Sequence, residues 1–307
     1  MTYDVIIIGG GPAGLSAAIY ASRARLKTLI IEKAGCGGQM AITDILENYP
    51  GFNGGINGFE LATKLEAQAR DFGTEIVYDA VESITEAAKL KAVVTPNATY
   101  KTKTVIIAAG TKYKEMNIEG EKQFIGRGVS FCAVCDAPFY RDKTVAVIGG
   151  GDSAVQEAIY LSKFAKKVIL IHRRNELRAA KILQEKMLSH QNILVIYNHT
   201  PVRIDGGETI ETITVSEVNT KKTTELKVDG VFVFIGLIPN TAFVSKEADN
   251  LVLDEAGYII TDEDMKTSLP GIFACGDIRK KQLRQVVTAA SDGAQAAISA
   301  QHYIEQH

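Results

Sequence analysis

The sequence predicts an α/β fold made of two nested three-layer domains, the second inserted into the first. Three observations carry this prediction. A strand–glycine turn–helix–strand pattern opens the chain at Tyr3. The same pattern recurs in mid-chain from Lys143, and an apolar strand followed by an alanine-rich helical tail returns after Thr267. With 307 residues the chain has room for two cores of ordinary size.

The first pattern is "YDVIIIGGGPAGLSAAIYASRARLKTLIIEK". Tyr3 to Ile8 reads as a short apolar strand. Gly9, Gly11 and Gly14 follow as G-x-G-x-x-G, and Leu15, Ala18 and Ile19 fall on one face of a helix. A second strand, Thr28 to Ile31, ends at Glu32. This is the logic of a βαβ dinucleotide site. Gly9 makes the tight turn, Gly11 lets backbone approach a pyrophosphate, and Gly14 lets the helix pack on the strand. Glu32 is placed to accept hydrogen bonds from a ribose diol. A lone G-x-G-x-x-G is weak evidence, but here strand, glycines, helix, strand and acid fall in order.

The second pattern is "KTVAVIGGGDSAVQEAIYLSKFAKKVILIHRRNELRA", with Gly149 and Gly151 in the turn and Ala154 in the third glycine position. His172 follows Gly149 at the 23-residue distance that separates Glu32 from Gly9. The acid is therefore replaced by His172, with Arg173, Arg174 and Arg178 beside it. A 2′-phosphate next to a carboxylate would be repelled by about 4 kcal/mol per charge pair at 4 Å and an effective dielectric near 20. Arginine reverses the sign and grips phosphate through two parallel hydrogen bonds. The first site is expected to take a dinucleotide with a free adenosine ribose, the second one bearing a 2′-phosphate, NADP(H) over NAD(H). Without the preceding fingerprint, the three arginines would read as a solvated helix start.

"TVIIAAGTKYK" (Thr104 to Lys114) and "DGVFVFIGLIPNT" (Asp229 to Thr241) are apolar strands ending in small-residue turns, each a candidate last strand of its own domain. "TSLPGIFACGDI" adds a strand, Gly271 to Ala274, ending in Gly276 and Asp277. The division expected is 1–115 with 243–307 for the first domain and 116–242 for the inserted one, with hinges near Lys112 to Glu115 and Pro239 to Thr241.

Hydrophobic residues make up 46% and charged residues 23% of the chain, a globular and not a disordered composition. The net charge of −2 gives no sign of a nucleic-acid footprint. No apolar run approaches the roughly 20 residues that span a bilayer. The start "MTYDVIIIGGG" has no basic region before its apolar run, so a signal peptide is not expected.

Two of the four cysteines stand in "FCAVCDAPFY" as Cys132 and Cys135, followed by Asp136. In a chain without an export signal such a pair reads as catalytic or metal-binding before structural. A structural zinc needs four ligands, and Cys36 and Cys275 are isolated, with no second CxxC. No metal is expected, although zinc and an inert buried pair remain as alternatives to a redox disulfide. Cys36 and Cys275 read as small buried residues near the first core.

Taken together, two nested dinucleotide folds, a CxxC-Asp before the second fingerprint, the HRRxxxR cluster and a late GD motif resemble the bacterial low-molecular-weight, NADPH-dependent thioredoxin reductases. The resemblance runs from Tyr3 to the last helix. It implies Rossmann-like FAD- and NAD(P)-binding domains, FAD in the first and NADPH in the second. By motif, FAD falls to Gly9, Gly11, Gly14, Glu32, Gly37, Gly38, Gln39, Asn48, Asp277, Arg284, Gln285 and Val286. NADPH falls to Gly151, Asp152, Ser153, His172, Arg173, Arg174 and Arg178. Cys132 and Cys135 match the redox pair and Asp136 the acid, for which the plainer role is a helix cap. Two departures stand out: Ala137–Pro138 where the family commonly has Gly after the acid, and Asn175 where Asp is usual. The implied activity passes two electrons from NADPH through the flavin and the cysteine pair to thioredoxin disulfide, by mixed-disulfide exchange and with domain rotation between half-reactions. A cytoplasmic homodimer is implied as well. The alternatives are a same-fold ferredoxin- or flavin-NADP reductase, another low-molecular-weight disulfide reductase or oxidase, and a dinucleotide sensor without turnover.

Overall fold

Val5 to Ile8 is apolar at every position, which suits a strand buried on both faces of a parallel sheet. In a computed structural model, which describes residues 2–43, 45–87, 90–244 and 251–307, this run is the core of β1 (Thr2–Ile8). After β1 come α1 (Pro12–Arg23), β2 (Thr28–Glu32), α2 (Gly58–Asp71) and β3 (Glu75–Tyr78). Pro12 suits the first turn of α1, where its missing N–H has no partner to lose. Asn57 caps α2 by accepting from the Phe59 and Glu60 amides. A hairpin, β4 (Ser83–Ala87) and β5 (Leu90–Val94), then leads into β6 (Thr99–Ile107) and the short β7 (Thr111–Tyr113).

The chain then builds a second unit. It begins with the one-turn α3 (Glu121–Phe124), the two-residue β8 (Val129–Ser130) and the one-turn α4 (Ala133–Asp136). A second βαβ follows: β9 (Thr144–Gly149), α5 (Asp152–Leu161) and β10 (Lys167–Ile171). Next come α6 (Lys181–Leu188), β11 (Ile193–Ile196), an antiparallel trio β12 (His199–Gly206), β13 (Ile210–Glu217) and β14 (Thr223–Lys227), and β15 (Gly230–Phe234). The return passes through β16 (Leu237–Pro239) to β17 (Ile272–Ala274) and the long α7 (Val286–Gln306).

Two compact units result, Met1–Lys112 with Ile238–His307, and Tyr113–Leu237. The expected segments 1–115 and 243–307 include residues 1, 44, 88–89 and 245–250, which lie outside the described residues. In the first unit β3, β2, β1, β6 and β17 pair in parallel in that order, and the β4–β5 hairpin pairs with the N-terminal half of β6. The second unit repeats the plan with β11, β10, β9, β15 and β8 in parallel.

The fold class is the one expected, with one correction. In chain order β15 is the last strand of its sheet, as expected, whereas β6 is followed by β17, and neither is at the edge of its sheet. Each lies one place inside it, with β17 and β8 outside them. A strand of two residues, such as β8, has no periodicity to read. Each sheet has a core on both faces. Leu15, Ala17 and Ala18 of α1 and Ala296, Ala297 and Ala300 of α7 pack on one face of the first. Val155, Ala158 and Leu161 of α5 pack on the second. No helix among the described residues is long and apolar enough to cross a membrane.

The turn after β1 is the tightest point. A Cβ on Gly14 would lie 1.9 Å from the Gly9 carbonyl oxygen, whereas one on Gly11 would meet nothing within 4 Å. Gly14→Ala is therefore expected to cost about 1–3 kcal/mol, read as a melting temperature lowered by roughly 2–4 °C per kcal/mol. Gly11→Ala, measured beside it on the cofactor-free protein, should stay within about 0.5 kcal/mol of the parent.

Candidate redox and dinucleotide sites

At the first fingerprint, Gly9 adopts φ +107° and Gly11 caps α1. The Gly10 amide donates to Glu32 Oε2 (2.6 Å) and the Ala34 amide to Oε1 (3.0 Å), so the carboxylate is held at the end of β2 by its own turn. Gly37 (φ +112°) donates to the Gly10 carbonyl (2.7 Å) and starts a 3-10 turn through Gly38 and Gln39. Gln39 Nε2 donates to the Thr111 carbonyl (2.7 Å) and to its hydroxyl (3.0 Å).

Residues far apart in sequence meet here. Asn48 Nδ2 donates to Gln285 Oε1 (3.0 Å), and Gln285 also caps α7 in a reciprocal box with Thr288. Val286 packs with Met40, Leu46, Ile56 and Leu61. Asp277 Oδ1 and Arg284 Nε are buried with no hydrogen-bond partner among the described residues. Burial pushes the Asp277 carboxyl above its usual range, while Lys281 and Arg284 pull it back. The Arg284 guanidinium lies 4.1 Å from the centre of the Tyr258 ring. Unmade buried hydrogen bonds cost roughly 1–3 kcal/mol each, so these orphaned groups fit a polar ligand. With the open space at Gly11 and the ribose acceptor at Glu32, they suit a flavin dinucleotide.

The second fingerprint differs in one respect. Gly149 (φ +153°) leaves room for Ala154, and Gly151 again faces open space. His172 is buried under Gly150, where a Cβ would lie 2.3 Å from Nδ1. Its Nδ1 is 3.0 Å from the Gly149 carbonyl oxygen, which can only accept. That makes Nδ1 the proton-bearing nitrogen. Burial, aided by Arg178 and Arg174, lowers the His172 pKa, so the ring is neutral at pH 7. The positive charge comes from Arg173, Arg174 and Arg178, all exposed and none in an ion pair among the described residues. Asp152 Oδ1 accepts the Ala180 amide (2.8 Å), and the Arg178 amide donates to the Gly150 carbonyl (2.7 Å). The arginine loop is thus tied to the glycine turn. Ser153 is exposed at the first turn of α5. The set fits an NADP-type 2′-phosphate.

Cys132 and Cys135 form a disulfide with Cα atoms 5.4 Å apart. Each sulfur is bonded to the other, which removes both as zinc ligands. The pair begins two residues after β8, and Cys132 caps α4. The Cys135 amide donates to Cys132 Sγ (3.2 Å), and the Cys132 amide to Ser130 Oγ (3.0 Å). Cys135 is exposed, and Phe139 beside it is 73% exposed. Asp136 lines a cavity of about 320 Å³ with Arg127, Phe139, Tyr140, Lys143 and Asp229. Burial, then Asp136 and Asp229, raise the Tyr140 pKa. The departure at Ala137–Pro138 has a local reason. Ala137 is fully buried, and Pro138 opens a 3-10 turn through Tyr140. Asn175 is exposed, and the structure gives no reason for it.

Sequence reasoning missed Ser130, Thr111, Tyr258 and the residues lining the Asp136 cavity. Thr111 and Tyr258 act through contacts with distant elements, whereas Ser130 acts on Cys132 two residues on and carries no motif of its own. Cys36 and Cys275 are packing residues. Burial raises the Cys36 thiol to about 12 and pushes the fully buried Cys275 still higher.

Comparison with known proteins gives a consistent result. The family model described as pyridine nucleotide-disulphide oxidoreductase matches residues 3–293. A thioredoxin reductase of Bacillus subtilis (strain 168) is 47% identical over 307 residues, covering 99% of this chain and 95% of the relative. The structure of Lactococcus lactis thioredoxin reductase superposes with a TM-score of 0.96 at 43% identity, covering 99% of this chain and 100% of the other. That of T. acidophilum thioredoxin reductase gives 0.94 at 34% identity, covering 99% of each.

A thiol count tests the site directly. The native protein is expected to give almost no fast reaction with an aromatic disulfide reagent at pH 8, and about two thiols per chain after mild reduction. Cys132→Ser/Cys135→Ser should give almost none in either state.

Proposed function

The chain belongs to the pyridine nucleotide-disulphide oxidoreductase family, and from that premise we propose that it is an NADPH-dependent thioredoxin-disulfide reductase. The observation that carries the reading is the Cys132–Cys135 disulfide, with Cys135 exposed, in the same unit as a free arginine trio behind a dinucleotide fingerprint. FAD belongs to Gly9, Gly11, Gly14, Glu32, the Gly37–Gln39 turn, Asn48, Asp277 and Arg284 to Val286. NADPH belongs to Gly151 to Ser153, His172 and the three arginines. The disulfide pair with relatives named thioredoxin reductase supports thioredoxin as the disulfide substrate. A cytoplasmic homodimer completes the reading, from the family resemblance.

When bound, the nicotinamide supplies a hydride and the flavin a two-electron relay. The chain's own part begins at the disulfide. Two electrons and two protons open Cys132–Cys135 to a dithiol. The Cys135 amide directed at Cys132 Sγ favours the thiolate there. Asp136, the residue after Cys135, would hold or release the thiol proton. The thiolate attacks one sulfur of the partner disulfide, giving a mixed disulfide and releasing the partner's other sulfur as thiolate. The remaining cysteine then attacks the mixed disulfide, restores Cys132–Cys135 and frees the reduced partner.

The nicotinamide and the cysteines would need the same flavin in turn, since both belong to the inserted unit and the flavin to the other. Rotation about the two crossings, at Tyr113 and Leu237, meets that need.

Anaerobic NADPH titration of the wild type beside Cys132→Ser/Cys135→Ser, followed at the flavin band, tests the reading. The wild type should take up about two more electrons per chain. Equal uptake with a fully bleached flavin would make the cysteines bystanders and favour a ferredoxin- or flavin-reducing relative. The arginine trio has its own test. Arg173→Ala/Arg174→Ala should raise the KM for NADPH at least tenfold and leave that for NADH nearly unchanged, since only the former carries the 2′-phosphate.

A further inference from the structure

Asp292 lies in the second turn of α7 and is 9% exposed. Its carboxylate is held by three donors: the Gly276 amide (3.1 Å), Lys281 Nζ (2.8 Å) and Arg279 Nη1 (3.2 Å). Both cations are nearly buried, with 13% and 11% side-chain exposure for Arg279 and Lys281. Arg279 is tied further by Nε to Thr261 Oγ1 (2.9 Å) and by Nη2 to the Asp262 carbonyl (3.4 Å). Two cations thus share one buried carboxylate, which leaves a net positive charge at the turn that presents Asp277.

The same spot is a mechanical junction. Gly276 adopts φ +76°, and a Cβ there would lie 2.7 Å from the Ala13 side chain. A Cβ on Gly293, the residue after Asp292, would lie 2.0 Å from the Ala13 carbonyl oxygen. Ser16 Oγ donates to the Ala290 carbonyl (2.7 Å). The second helical turn of α7, the Gly276–Asp277 turn and the start of α1 therefore meet around Asp292. An apolar contact of similar volume commonly serves stability as well as a buried ion pair. Three charges kept at this junction therefore point to an electrostatic role.

We propose that Asp292 is a positioning residue for the flavin, clamping the Gly276–Asp277 turn onto α7 where that helix packs on α1, and offsetting the positive charge of Arg279 and Lys281 in the field where the flavin is held. This rests on the assignment of FAD to the first unit. Reduced flavin carries more electron density than oxidised flavin, so a more positive field favours the reduced form. Removing the Asp292 charge should raise the flavin midpoint potential, and removing the Lys281 charge should lower it.

The test uses flavin-loaded protein in the Cys132→Ser/Cys135→Ser background, which isolates the flavin couple. Midpoint potentials come from anaerobic spectroelectrochemical titration, and FAD retention from fluorescence of the ultrafiltrate. Asp292→Asn, which keeps an oxygen for the Gly276 amide, should change the affinity ratio of reduced over oxidised flavin about tenfold upward, or about 30 mV for a two-electron couple. Lys281→Met should shift it a similar amount downward. The double variant Asp292→Asn/Lys281→Met should return close to the parent. Shifts of the same sign in the two single variants, or none in either with flavin retained, would overturn the proposal. If Asp292→Asn does not fold, Lys281→Met decides alone, a downward shift supporting the proposal and no shift refuting it. A parent protein that binds no FAD would fail first at the flavin assignment, and the clamp would fall with it.

Discussion

Both halves of this molecule depend on a helix that begins in van der Waals contact with the strand it follows. In the first unit, Gly14 seats α1 directly on the Gly9 carbonyl, and no side chain of any size fits between them. In the second, Ala154 takes that place because Gly149 has no side chain: a Cβ there would lie 2.7 Å from that of Ala154. The close approach leaves Gly11 and Gly151 facing empty space at a helix N-terminus, where backbone amides and the helix dipole favour an anion. Parallel sheets buried on both faces hold the strands rigid beneath these turns.

The two units share a strand plan and diverge at its edges. In each, a short outermost strand, β17 or β8, runs parallel to an inner one and delivers its C-terminal loop beside the fingerprint. In the first unit that loop is Gly276–Asp277, with Gly276 buried and tied to α7 and Asp277 half-buried. In the second it is Cys132–Cys135, half-buried to exposed, with a one-turn helix after it. The same topological position thus presents a carboxylate with an unpartnered buried oxygen in one unit and a disulfide in the other. The ends of the second strands diverge likewise. Glu32 is anchored by two backbone amides at the first, while neutral His172 is buried at the second and exposed arginines carry the charge.

Much of this was legible in the sequence because its signals are local. Glycine spacing, a four-residue apolar run and the residue at the end of the next strand are set within about 25 residues of one another. They report a backbone geometry that needs no distant partner. The CxxC spacing and the HRRxxxR cluster are local in the same sense. The edge strand β8 was not legible, because two residues have no period. Nor was the place of β6 and β15 inside their sheets, because strand order depends on which elements return from elsewhere in the chain.

What the sequence by itself determined is the class of fold, its duplication and the chemistry of its loops. Tertiary structure alone decided which groups complete the sites. It brought Asn48 to Gln285, Thr111 to Gln39, Tyr258 under Arg284 and Asp292 onto Lys281, Arg279 and the Gly276 amide. It also showed that His172 is buried and that Asp136 faces a cavity shared with Tyr140 and Asp229. The physical reason is common to all of these. Burial and pairing depend on what packs from other elements, and a residue's own neighbours in the chain do not specify that.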